Sequence, residues 1–204
     1  DHRDLHSFPT RRSSDLRTEN NGVNILPDVA AAIDAKIQEK GIARDTIAGV
    51  GLGIPGPVMP DGYVEVCVNL GWRNVNPQKE LSAMLDGIPV RSGNDANVAA
   101  LGEMWQGGGK GYSNLVAVTL GTGVGGGIII DGRILTGTNG AGGEIGHIHI
   151  EDAETETCGC KNKGCLEQYA SATGVTRLAN RRLAKDDAPS VLRGGELSAK
   201  PVFD

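Results

Sequence analysis

Apolar positions along this chain change period several times, and each change marks a predicted element. Val29, Ile33 and Ile37 recur at helical spacing after Pro27-Asp28 and before Gly41, which predicts a helix with proline in its first turn and glycine past its end. Ile47 to Ile54 reads as a buried strand, cut off by Pro55-Gly56-Pro57. After a turn at Asp61-Gly62, Tyr63 to Val68 resumes an extended run. Asn76-Pro77 caps a second helix through Leu85, Ile88 to Arg91 forms a short strand, and Gly93-Asn94-Asp95 leads into a helix reaching Gln106.

Gly107-Gly108-Gly109-Lys110-Gly111 is the natural place for a domain hinge, because no other stretch offers so little local structure. A second half follows, with a strand at Leu115 to Leu120, a glycine loop at Gly121 to Gly127, a strand at Gly127 to Asp131 and a hairpin turn at Asp131-Gly132 into Arg133-Ile134-Leu135. Beyond His147 to Ile150 come an acidic loop, a cysteine cluster and helical segments at Leu166 to Ala170 and Thr173 to Ala184. No short fixed repeat is present.

Composition narrows the partners. Aliphatic runs such as Ile128-Ile129-Ile130 fall far short of the roughly 18 apolar residues of a membrane span, so no membrane partner and a cytoplasmic location are expected. Twenty basic and twenty-five acidic residues give a net charge of −5 without a basic stripe, which argues against nucleic acid and for a small polar ligand. Glycine supplies 31 of 204 residues, about twice ordinary usage, and its clustering between apolar runs fits loops that approach a ligand closely. Ser7 to Leu16 resembles the translation of a sequencing adaptor, so residues 1–16 are expected to be non-native and the native sequence to start near Arg17; a disordered basic arm is the alternative.

The strongest chemical signal is Cys158-Gly159-Cys160-Lys161-Asn162-Lys163-Gly164-Cys165 with His147 upstream. Three thiolates and an imidazole make a closed tetrahedral zinc set, worth on the order of 10 kcal/mol to a loop that closes on it. A disulfide and a redox pair are the competing readings. Cys67 stands apart and reads as a buried apolar residue.

Gly121-Thr122-Gly123-Val124-Gly125-Gly126-Gly127 contains a formal G-x-G-x-x-G, but a strand and a hairpin follow it where a dinucleotide site needs a helix, and Lys110 precedes Gly111 where a Walker loop needs Ser or Thr. What remains is a glycine hairpin whose N–H groups, with the Thr122 hydroxyl, are able to cradle phosphate; a ligand-free hairpin is the alternative. Asp95, at the start of a helix, is either a cap or a base that accepts a hydroxyl proton in phosphoryl transfer. Glu144 and Glu167 lie beside the metal loop in sequence, as sugar-hydroxyl acceptors or as surface acids.

Taken together, Gly53-Ile54-Pro55-Gly56-Pro57, Asn69-Leu70-Gly71-Trp72, Gly93 to Asn97, Leu120 to Gly127, Glu144 to His147 and Cys158 to Glu167 resemble the ROK family of sugar kinases and regulators across most of Arg17 to Asp204. The resemblance implies an actin-like ATPase (ribonuclease H-like) pair of α/β domains closing on a cleft, here 17–108 and 109–204, truncated at both ends. It implies ATP-dependent phosphorylation of the 6-hydroxyl of glucose in glycolysis, with Asp95 as catalytic base, Asn94, Asp95, Glu144, His147 and Glu167 on the sugar, and Thr122 and Gly123 on the phosphates of ATP with its Mg²⁺. His147, Cys158, Cys160 and Cys165 would hold Zn²⁺, and the full-length protein would be a homo-oligomer, a dimer. Fructose, N-acetylmannosamine, N-acetylglucosamine or allose is the alternative sugar, and a sugar-responsive repressor or a sugar-binding module without chemistry is the alternative function. The family's opening Asp-Gly-Gly-Thr hairpin and later glycine-rich adenosine loop are missing from the sequence, so this fragment itself is expected neither to phosphorylate sugar nor to bind ATP tightly.

Overall fold

A computed structural model describes residues 16–195, 197–199 and 202. The adaptor reading of residues 1–16 falls almost wholly outside them. The chain divides into two compact units, one ending at Asp95 and one starting at Ala96.

In the first unit, Glu19–Gly22 (α1) and Ile25–Lys40 (α2) precede strands Val50–Ile54 (β1), Val64–Cys67 (β2) and Trp72–Val75 (β3), helix Pro77–Met84 (α3) and strand Val90–Asn94 (β4). α2 buries Ile25, Leu26, Ala30 and Ile37, and it stops where Gly41 turns left-handed at φ 61° and returns its N–H to Ile37 and Gln38. The helix starts ahead of the expected Pro27, because proline is tolerated throughout the first turn, where its missing N–H has no helical acceptor. Asn76 caps α3 by accepting the Lys79 N–H at 3.1 Å, and Leu81 and Leu85 vanish completely into the core, each contributing about 1.5–3 kcal/mol.

β1 and β4 run parallel, with Ile54 opposite Asn94, while β2 and β3 form an antiparallel pair. The fourth strand therefore runs on to Asn94 rather than ending at Arg91, since pairing with β1 satisfies its backbone that far. β1 begins at Val50 rather than Ile47, because Arg44–Thr46 closes a 3-10 turn first. β3 was not anticipated; its Trp72 is buried and donates its indole N–H to the Gly22 carbonyl at 3.2 Å. Cys67 is buried, as its isolation in sequence suggested, and burial pushes its thiol up.

Helix Asp95–Gln106 (α4) leads into the second unit, followed by an antiparallel sheet of Leu115–Leu120 (β5), Val124–Ile130 (β6) and Arg133–Ile134 (β7), and helices Glu167–Ala170 (α5) and Ala172–Leu183 (α6). Asp131 and Gly132 both take positive φ, 49° and 72°, as a two-residue hairpin turn requires. Gly107–Gly111, the stretch expected to be a hinge, forms a series of tight turns at the end of α4, in which the N–H groups of Gly107 and Gly109 reach the Glu103 carbonyl and that of Gly108 its carboxylate.

The expected Gly121–Gly127 loop is also shorter than its composition suggested. Only Gly121-Thr122-Gly123 forms the tip, with Leu120 opposite Val124, and Gly125, Gly126 and Gly127 lie inside β6. The cause is space: a Cβ on Gly125 would stand 3.0 Å from the Ala96 Cβ, and one on Gly127 would stand 2.5 Å from the Ala100 Cβ. These glycines let α4 sit against the strand. Among the described residues no helix is long and apolar enough to cross a membrane.

Candidate metal centre and flanking residues

His147 ends the short 3-10 turn Ile145–His147, and Cys158, Cys160 and Cys165 lie on the loop that precedes α5. One ligand atom from each of these four residues lies within 4.8 Å of all the others. The Cys158 sulfur is 3.7 Å from His147 Nδ1, and the Cys160 and Cys165 sulfurs are 3.5 Å apart. All four cysteines are free, Cys67 included. Soft sulfur with one imidazole suits zinc in a closed tetrahedral site. Burial pushes the Cys165 thiol up to about 12, with the Cys160 and Cys158 thiols adding to it.

Backbone bonds gather these ligands. Cys158 donates its N–H to the Asn162 carbonyl at 2.7 Å, and Lys161, at φ 71°, donates to the Cys158 carbonyl at 2.8 Å. Ile150 N–H reaches Gly164 O at 2.7 Å and Leu166 N–H reaches Ile148 O at 2.9 Å, which brings the segment that follows His147 alongside Cys165. Gly164 is left-handed at φ 70°, and a Cβ there would collide with the Glu151 carbonyl.

The other expected site residues divide between the two units. Asn94 ends β4 and donates its amide to the Gly56 carbonyl at 3.3 Å; Asp95 is exposed at the first position of α4. Both belong to the first unit. In the second, Glu144 is exposed and its carbonyl accepts the His147 N–H at 3.2 Å. Glu167 stands at the start of α5, with one carboxylate oxygen accepting the Val124 N–H at 2.9 Å and the other 3.7 Å from the Cys158 sulfur. Glu167 thus joins the metal loop to the hairpin tip. At that tip Gly121 N–H donates to Gly123 O at 3.0 Å, and the Thr122 carbonyl accepts the Thr173 hydroxyl at 2.8 Å.

Four residues around the cluster went unread in the sequence. Gln168 accepts the Cys165 N–H at 3.1 Å and donates to the Glu156 carbonyl at 3.0 Å. Glu154 has a fully buried carboxylate, which faces Arg177 and Arg181 of α6 at 2.9 and 2.8 Å. The helical spacing of Arg177 and Arg181 behind an acidic loop was the available signal.

The chain matches the ROK family over residues 11–203. It is 41% identical over 190 residues to a glucokinase of Halalkalibacterium halodurans, covering 91% of this chain and 57% of that one. A solved ROK-family transcriptional regulator, a homolog of the E. coli MLC protein, superposes with a TM-score of 0.74 at 30% identity, covering 86% of this chain and 44% of that one. A ROK-family glucokinase from Streptomyces griseus, solved with glucose and AMPPNP, gives a TM-score of 0.63 at 35% identity, with 79% and 51% covered. The chain spans about half the length of the curated relatives it matches. With family match, α/β fold and cysteine–histidine cluster in agreement, this chain belongs to the ROK family and carries its actin-like fold over part of the full length.

Proposed function

We propose that the full-length protein is an ATP-dependent hexose kinase, with glucose as the first choice of sugar. The observation that carries this reading is the 41% identity to a glucokinase across nearly the whole of this chain, with the four-ligand cluster intact. In the proposed reaction Asp95 accepts the proton of the sugar 6-hydroxyl as that oxygen attacks the γ-phosphorus of Mg²⁺-bound ATP and ADP departs. Asn94, Glu144, His147 and Glu167 bind the sugar hydroxyls, and Thr122 and Gly123 face the phosphates. Positioning and charge stabilisation account for most of such a transfer, so a rigid sugar site matters more than covalent chemistry.

Zinc fits the donor set of His147, Cys158, Cys160 and Cys165, and when bound it supplies structure by fixing the loop. An imidazole with one nitrogen on the metal keeps the other for a sugar hydroxyl, which allows His147 both assignments. The full-length protein is, in this reading, a cytoplasmic dimer.

Replacing Asp95 by Asn in the full-length protein tests the base. On a panel of hexoses, kcat is expected to fall about 10²- to 10⁴-fold while the sugar KM stays near the wild-type value. A variant as fast as wild type overturns the assignment. The similarity to a ROK transcriptional regulator favours a second reading, a sugar-responsive repressor. Sequence-specific DNA binding released by sugar, without phosphoryl transfer, would select it.

A further inference from the structure

The metal loop has almost nothing apolar to hold it. From Glu151 to Lys163 the only buried side chains are Cys158 and Glu154, so one metal ligand shares that burial with a carboxylate. A buried charge is tolerated only when fully paired, and Glu154 is paired on both oxygens. Oε1 accepts the N–H groups of Thr155 and Glu156, each at 2.9 Å, and Arg181 Nη2 at 2.8 Å. Oε2 accepts the Tyr169 hydroxyl at 2.8 Å, Arg177 Nη2 at 2.9 Å and Arg181 Nη1 at 3.1 Å.

These bonds run on to the ligands without touching the metal position. Arg177 Nη2 also donates to the Gln168 carbonyl at 2.8 Å, and the Gln168 side chain accepts the Cys165 N–H. Glu156, which shares Arg181 with Glu154, offers its carbonyl to the same Gln168. Cys165 is thus tied to this connected set of polar groups directly, through Gln168 of α5, while Cys158 is held along the chain, two residues beyond the Glu156 carbonyl that the same Gln168 grips.

We propose that Glu154 is a positioning residue for the metal centre, locking the ligand loop onto α5 and α6 so that thiols and imidazole are gathered before the metal arrives. This rests on the metal-binding reading of the cluster. Ligands ordered in advance lose less freedom on binding, and outer-sphere partners of metal ligands commonly change affinity about ten- to hundredfold.

The test uses full-length protein stripped of metal under reducing conditions and titrated with Co²⁺ alone, then with Zn²⁺ in competition. Glu154→Gln is expected to bind both ions about ten- to hundredfold more weakly than wild type. Its saturated Co²⁺ spectrum is expected to keep the wild-type thiolate-to-metal bands, since Glu154 is not a ligand. Arg181→Gln, which leaves Arg177 and Tyr169 on the carboxylate, should weaken binding in the same direction by less. Wild-type affinity in folded Glu154→Gln overturns the proposal, and an altered saturated spectrum overturns it by making Glu154 part of the coordination. Should far-UV circular dichroism show Glu154→Gln unfolded, Arg181→Gln decides alone, with wild-type affinity as the overturning result. A wild-type chain that takes up neither ion refutes the metal reading itself, and the proposal with it.

Discussion

Gly127 shows how much a single absent side chain accounts for in the second unit. The Ala100 Cβ, the Ala96 carbonyl and the Asn97 Cα occupy the space that a side chain at this position would need, at 2.5, 3.0 and 3.3 Å from an added Cβ. Two of the three contacts are helix backbone, which cannot rotate away. Gly127→Ala is therefore expected to destabilise the protein by about 1–3 kcal/mol, the usual cost of overpacking. Gly51→Ala, with nothing within 4 Å of its added Cβ, serves as the contrast and should stay close to wild type. Chemical unfolding of the two variants measures the difference. The same crowding explains why the sequence misled at Gly121–Gly127. Glycine was read as loop by composition, whereas glycine here is what a strand needs when a helix lies on it, and that neighbour is invisible to local pattern.

At the scale of elements, α6 organises the loop before it. Ser171 caps the helix by accepting the Gly174 N–H at 2.9 Å, and Arg177 and Arg181 project from one face onto Glu154. Hydrogen bonds from Arg181, then Arg177, hold the Glu154 carboxyl far below its usual range near 4.5. A carboxyl depressed in the folded state stabilises that state at pH above its unfolded value and loses the contribution as pH falls below it. The thermal stability of wild type is accordingly expected to fall as pH drops from about 5 to 3, and Glu154→Gln should lose part of that slope. Equal slopes in the two proteins would show that the carboxylate is not linked to folding. The elements were largely legible: α3, β5, the Asp131-Gly132 turn and α6 carry their signals in caps, turn residues and period. β3 and the arginine clamp were not, because a four-residue strand has too little period to register and an ion pair between distant segments has none.

At the scale of the whole molecule, the two units keep their structure by different means. The first has an apolar core in which Leu81, Leu85, Val64 and Trp72 are buried together. Around the metal loop the second buries Cys158, Cys165, Glu154, Gln168 and Ser171, all of them polar or in the ligand cluster. Four residues able to ligate a metal, legible as a cysteine–histidine spacing, thus stand where hydrophobic burial is thin, and a metal bound there would replace what a core otherwise provides. Removing it is expected to act locally. After chelation under reducing conditions, amide hydrogen exchange should speed up across residues 144–183, while the amides of α2 and α3 keep their protection. Chelation that leaves exchange at 144–183 unchanged would mean that hydrogen bonds alone hold the loop. An equal rise over both units would mean that the metal supports the whole chain, since a core closed by Leu81 and Leu85 has no need of a cation in the other unit.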